Sequence, residues 1–222
     1  MLTSEQPIQR LLADLPTGVT LVAVSKGVSA ERIRAAVTAG ATDLGENRVQ
    51  EALSKMPALQ DLNVRWHLIG RLQGNKIRRA VEAFDWIHSV ESLDQAADIS
   101  RVAEELGKRQ KVLIQVNVSG ETTKGGLSPE AAWAVLPALG RLPGLDLRGV
   151  MTIAPQADDP ETVRPMFRSL REFAEKATDQ RWPGVVLKTL SMGMSGDYQV
   201  ALAEGATMIR LGRAVFGPRT QT

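Results

Sequence analysis

Lys26 follows an apolar run, VTLVAVS, over residues 19–25. A lysine at the end of such a run carries its stem into an apolar mouth. Desolvation there disfavours the ammonium and leaves a neutral amine able to form a Schiff base. The same position also suits a lysine that snorkels to solvent. Two corners rich in small residues bear on the choice. Ser191-Met192-Gly193-Met194-Ser195-Gly196-Asp197 offers a serine hydroxyl and several backbone N–H groups at the start of a helix, an anion site by geometry and dipole. Arg210-Leu211-Gly212-Arg213 adds N–H groups and a guanidinium. Together the corners point to phosphate, and they point Lys26 toward an aldehyde that carries one.

Other chemistries lack their parts. The chain has no cysteine and two histidines, His67 and His88, which removes disulfides, thiolate zinc sites and cysteine nucleophiles and leaves no His-rich metal site. Neither paired carboxylates nor a Ser-His-Asp constellation is evident, and His67, on a mostly apolar strand, reads as a hydrogen-bonded core residue. Gly70-Arg71-Leu72-Gln73-Gly74-Asn75-Lys76 has the wrong glycine spacing for a phosphate-binding P-loop, and Ile77 stands where that loop needs Ser or Thr. The basic group Arg71, Lys76, Arg78 and Arg79 has no interleaved aromatic residues and reads as a solvated helix face, not a nucleic-acid site.

The elements that must position Lys26 and the two corners repeat one pattern: a β-branched run, a polar or glycine-rich corner, an amphipathic stretch. Strands are expected over 19–25, 42–45, 64–69, 86–90, 111–118, 147–153, 187–191 and 207–211. Helices are expected over 29–39, 48–55, 73–84, 92–106, 129–139, 160–177, 198–204 and 214–218, with an extra one over 4–15 ahead of the first strand. Ser29 and Ser92 are placed as caps, and Pro129 suits a first helical turn. Strands separated by helices run parallel and are covered on both faces. About eight such units close into an α/β barrel of the (β/α)8 kind, whose working face is the rim at the strands' carboxyl ends. An open doubly wound sheet is the rival, but the first strand ends in Ser25-Lys26-Gly27 without a G-x-G-x-x-G turn. The 222 residues, 43% hydrophobic with a net charge of +2, suit a single domain over 1–222. No apolar run approaches the ~18–20 residues of a membrane span. The mixed polar start lacks a signal-peptide core, so a cytoplasmic protein is expected.

Seven segments carry a family likeness: LVAVSK (21–26), GENRVQE (45–51), WHLIGRLQGNK (66–76), QVNVSGETTKGG (115–126), GVMTIAP (149–155), LSMGMSGD (190–197) and RLGRAVFGPR (210–219). In order and over nearly the whole chain, they resemble the pyridoxal phosphate homeostasis protein family, small relatives of the alanine racemase barrel. The resemblance implies a barrel like the alanine racemase N-terminal domain that holds pyridoxal 5'-phosphate (PLP) as an aldimine on Lys26. It places Asn47 near the ring and Met151 against a ring face. It gives the phosphate to Ser191 and the backbone around Gly193, Gly212 and Arg213, and the pyridine nitrogen to Arg210. It assigns no catalytic residue and no metal. The sequence departs from the family's usual pattern at Gly27 (commonly Thr), Arg48 (Tyr), Leu68 (Phe), Tyr198 (Met) and Arg213 (Thr). The last removes one phosphate-binding hydroxyl.

An arginine has no acceptor for a pyridinium proton, so the ring nitrogen facing Arg210 is expected to stay unprotonated and the ring to be a weak electron sink. Racemases of this type draw an acid/base tyrosine from a second domain. This chain is expected to lack that domain, and its one tyrosine is Tyr198. The leading reading is therefore a monomeric carrier that buffers PLP, maintains vitamin B6 homeostasis and meets apo-enzymes transiently, with no nucleic acid or membrane partner. A weak PLP-dependent amino-acid racemase is the alternative. A Schiff-base aldolase acting on a sugar phosphate through Lys26 is the third.

Overall fold

The computed structural model describes residues 5–121 and 124–218. Among them, eight strands close into a parallel barrel in sequence order. These are β1 (Thr20–Val24), β2 (Asp43–Glu46), β3 (Arg65–Leu68), β4 (Trp86–Val90), β5 (Gln110–Gln115), β6 (Leu145–Met151), β7 (Thr189–Ser191) and β8 (Met208–Leu211). Outside them run α1 (Glu5–Ala13), α2 (Ala30–Thr38), α3 (Val49–Lys55), α4 (Ile77–Ala83), α5 (Leu93–Glu105), α6 (Pro129–Leu139), α7 (Arg164–Asp179), α8 (Tyr198–Ala203) and α9 (Arg213–Phe216). The (β/α)8 expectation and the extra first helix hold; Ser4, expected in that helix, lies outside the described residues, as do Thr122, Thr123 and Arg219 of the family-like segments.

Local chemistry sets the boundaries. Ser29, Ser92 and Ser128 each accept a hydrogen bond from the backbone N–H three residues on, which caps α2, α5 and α6. The stretch expected as one helix over 73–84 begins with a tight 3-10 turn at Gly74–Lys76, and the one over 160–177 with another at Pro160–Val163. β5 stops at Gln115, three residues short of expectation, because Asn117 turns the chain: its amide donates to the Glu121 and Lys124 carbonyls. β6 is shifted two residues earlier because Leu145 pairs with Gln110.

Alternation along each strand sorts side chains into two cores. Leu21 and Ala23 of β1 face the helices and join the large outer core with Phe84, Leu136 and Phe167. Val22 and Val24 face the barrel axis and pack with Ile69 and Met208. Gly45 permits this inner packing, since a Cβ there would lie 2.8 Å from Val22 Cγ1. The inner core is small because much of the axis is polar: Asp43, His67, His88, Ser191 and Arg210 are all buried.

Candidate functional site

Lys26 stands half-buried at the apex of the turn after β1. Both neighbours are tied down. The buried Ser25 hydroxyl donates to Glu46 Oε1 at 2.7 Å, and the Gly27 N–H donates to Glu51 Oε1 at 2.6 Å. Lys55 gathers the cluster, donating from Nζ to the Ser25 carbonyl at 2.8 Å and to Glu46 Oε1 and Glu51 Oε1 at 2.7 Å each. Gly27 sits at φ +69°, a left-handed turn that glycine adopts without steric cost. Burial raises the Glu46 carboxyl above its usual range despite Lys55 and Ser25, and its Oε2 has no hydrogen-bond partner. For Glu51 burial is outweighed by the Gly27 N–H and Lys55, and its carboxyl is held low.

Lys26 lines a cavity of about 330 Å³ at the carboxyl ends of the strands, together with Asn47, Arg210, Gly212 and Arg213. Asn47 is brought there by backbone contact: a Cβ on Gly70 would lie 2.3 Å from the Asn47 carbonyl oxygen. Val24, Ile69 and Ile153 supply apolar wall, and Ser195, Gly196 and Asp197 the opposite rim. The two small-residue corners meet here, with the Ala214 N–H donating to Ser195 Oγ at 3.3 Å. A Cβ on Gly196 would meet nothing within 4 Å, and one on Gly212 only Val24 at 3.5 Å or more. The fold therefore does not demand glycine at either position, and the space they leave belongs to the cavity. Lys26, Arg210 and Arg213 face one carboxylate, Asp197, so the lining carries excess positive charge. Burial pushes the Asp197 carboxyl up, against its bond from the Met194 N–H at 2.5 Å.

Three residues marked by the sequence lie behind the cavity wall. Met151 and Ser191 are fully buried. Gly193, at φ +93°, is a packing glycine whose Cβ would come 2.7 Å from that of Ala201. Ile153, two residues after Met151, and Pro155 are the apolar side chains of that segment on the cavity.

Ser191 belongs to a polar chain down the barrel axis. Arg210 donates from its Nη1 to Ser191 Oγ at 2.7 Å and from its Nη2 to the Thr152 carbonyl at 2.7 Å. Ser191 Oγ lies 3.2 Å from His88 Nδ1, His88 Nε2 lies 2.9 Å from His67 Nδ1, and His67 Nε2 lies 2.8 Å from Asp43 Oδ1. Arg65 closes the far end with bonds of 2.7 and 2.6 Å to the Asp43 carboxylate. Burial lowers the Arg210 pKa to about 10, so it keeps its charge at neutral pH. Burial would raise Asp43, but Arg65, His67 and Thr42 outweigh it and hold the carboxyl well below its usual range. Both histidines are pushed down by burial, His67 in spite of Asp43. The fold thus aligns the aspartate, histidine and serine side chains that looked unrelated in sequence. Ser191, buried and bonded to Arg210, is not placed as a nucleophile. Period two on β2, β3 and β4 was the available signal: Asp43, His67 and His88 share the inward face with Gly45, Ile69 and Trp86.

Comparison with known proteins follows the same lines. The alanine racemase N-terminal domain family matches residues 5–220. The pyridoxal phosphate homeostasis protein of Aquifex aeolicus is 45% identical over 199 residues, 90% of this chain and 86% of that protein. The protein of the same name from Synechocystis is 45% identical over 212 residues, 94% of this chain and 95% of its own. Among solved structures, PipY of Synechococcus elongatus with PLP bound superposes with a TM-score of 0.91 at 44% identity, covering 97% of this chain and all of that one. An alanine racemase of Clostridium difficile shares the fold at 17% identity, with a TM-score of 0.77 over 56% of its length.

Proposed function

The chain belongs to the pyridoxal phosphate homeostasis protein family, and from that premise we propose that it binds PLP in the cavity at the strand ends, on Lys26, and carries and buffers it without robust turnover. The observation that carries this reading is the meeting of Lys26, Arg210 and the two glycine corners around one cationic cavity of about 330 Å³. That size suits a small cofactor, and the open Cβ positions of Gly196 and Gly212 leave room for an anion to approach the backbone.

The bound cofactor supplies an electrophilic aldehyde carbon and a ring that can draw electrons. The rest falls to the protein. Lys26 is the amine for the aldehyde, on a turn held rigid by the Lys55 cluster. Ser195, the Gly196 and Gly212 corners and Arg213 are the phosphate side, with Ser195 supplying the hydroxyl that faces the cavity. Ser191 and Gly193 act from behind, and Met151 backs the ring wall that Ile153 and Val24 line. Asn47 flanks the ring. Arg210 would be the donor toward the ring nitrogen. A guanidinium donates and cannot accept, so a nitrogen meeting it holds no proton and the ring draws electrons weakly.

Racemisation requires proton exchange on both faces of the substrate carbon. Among the described residues that line the cavity, Lys26 and Asp197 are the amine and the carboxyl, and Asp197 is tied to the Met194 N–H. This favours carriage over turnover. The test is to incubate loaded protein with L-alanine and, separately, with an apo PLP enzyme. Recovery of the apo-enzyme's activity with D-alanine forming far below about 1 per second is expected; racemisation within the ordinary enzyme range of roughly 1–10³ per second would overturn the carrier reading.

A further inference from the structure

We propose that Ser191, His88, His67 and Asp43 form a one-way hydrogen-bonded chain that positions Arg210, making Ser191 and His88 positioning residues for the ring-nitrogen contact. The inference rests on the proposed PLP site only for what meets Arg210; the chain itself is a property of the protein alone.

The direction follows from donor counting. The Asp43 carboxylate only accepts, so His67 Nε2 carries a hydrogen toward it across 2.8 Å. A neutral His67 then has a bare Nδ1, which must accept from His88 Nε2 at 2.9 Å. Neutral His88 in turn has a bare Nδ1, which accepts from the Ser191 hydroxyl at 3.2 Å. With its hydrogen so committed, Ser191 Oγ accepts from Arg210 Nη1 at 2.7 Å. Every polar atom along the line is satisfied in this order. In the reverse order His67 carries both ring protons and donates to His88. His88 Nδ1–H then donates to Ser191, which would accept twice while its own hydrogen loses its partner, a costly arrangement when buried.

The surroundings hold the forward order. The Arg65 guanidinium pairs with Asp43 and keeps it ionised. Trp86 stacks on His67 with ring centroids 5.7 Å apart and an interplanar angle of 6°, and Lys111 Nζ lies 5.4 Å over the Trp86 ring. Asp85, at longer range, favours a second proton on His67, and burial outweighs it. At the other end the Thr152 carbonyl takes Arg210 Nη2, so two acceptors fix the guanidinium from behind. Its charge stays on the guanidinium because Arg210, even lowered by burial to about 10, is a far stronger base than the two histidines, which burial pushes down.

The test begins without cofactor. Long-range 1H–15N correlation on histidine-labelled protein should show both rings with a protonated Nε2 and a bare Nδ1, unchanged between pH 6 and 8, on the order of the range around the ordinary histidine pKa. A protonated Nδ1 on either ring, or titration of the pair in that interval, would overturn the chain. The second arm compares His88→Gln, which keeps an acceptor for Ser191 and a donor for His67, with His88→Leu, which keeps neither. Loaded with ring-15N PLP, the Leu variant should release it about tenfold faster and shift the ring-nitrogen resonance, while the Gln variant stays within about twofold of wild type. Ser191→Ala cuts the same line at its Arg210 end and gives the reading if the Leu variant fails to fold. Ring-nitrogen signals unchanged in the cut variants would refute the positioning role. Failure of wild type to bind PLP would refute the proposed function and leave the tautomer result standing.

Discussion

Lys55→Met probes the ion cluster that holds the Lys26 turn. The Lys55 ammonium makes three bonds of 2.7–2.8 Å, and its partner Glu46 is fully buried. Methionine keeps the stem and removes the charge, leaving a buried carboxylate whose one oxygen already lacks a partner. Breaking a buried pair from one side costs about 3–5 kcal/mol. At roughly 2–4 °C per kcal/mol for a domain of this size, the melting temperature should fall by on the order of 10 °C near pH 8. The loss should be smaller at low pH. Glu46 binds its proton more tightly folded than unfolded, so its share of stability falls as pH rises from its ordinary value of 4.5 through its raised folded one. Without Lys55 the folded value rises further and the fall steepens. Thermal unfolding of wild type and variant at pH 5 and pH 8 reads both quantities. The double variant Glu46→Gln with Lys55→Met should recover most of the loss, because a neutral amide still accepts from Ser25. A loss below about 1 kcal/mol at both pH values, or a larger loss at the lower pH, would refute a buried, charged cluster.

Three further outcomes follow from the same geometry. Asp43 is ionised below its ordinary range when folded, so the stability it confers is present above the unfolded value of 3.8 and is lost as pH falls through the folded one; Asp43→Asn should flatten acid unfolding below about pH 4 by that share, read by circular dichroism. Gly212→Val should fold, since a Cβ there meets only Val24 at ordinary distance, yet weaken binding of PLP far more than of unphosphorylated pyridoxal; equal weakening would place the phosphate elsewhere. Ser195→Ala should weaken PLP by about 10–150-fold, the equivalent of one hydrogen bond to a charged group, whereas no effect in equilibrium titration would remove Ser195 from the phosphate side.

The barrel was legible in the sequence because its signal is distributed: eight apolar runs alternate with capped amphipathic stretches, and no single residue decides the outcome. That Lys26, Gly212 and Arg213 line the cavity was legible for a local reason, their place directly after strands. The strand-end rule does not bring Ser191 and Met151 to the cavity lining. Each ends its strand, but on β6 and β7 the last strand residue points inward to the axis, and the cavity is lined from a few residues later, at Ile153 and Ser195. The axial chain was not legible. His67 and His88 are 21 residues apart, His88 and Ser191 are 103 apart, and only closure of the barrel brings β4 opposite β7. The Lys55 cluster was hidden for a related reason: Lys55 looks like an ordinary helix-terminal lysine until β2 and α3 fold Glu46 and Glu51 against it.

The central claim is that Lys26 is the residue that holds PLP, and reduction followed by peptide mapping tests it most directly. Protein loaded with PLP and treated with borohydride should gain the mass of one reduced phosphopyridoxyl group on the peptide containing Lys26. Lys26→Ala, whose rim position contributes little to the core, should fold within about 0.5 kcal/mol of wild type and take no such adduct there. An adduct on Lys76 or Lys188, with Lys26 unmodified, would contradict the account.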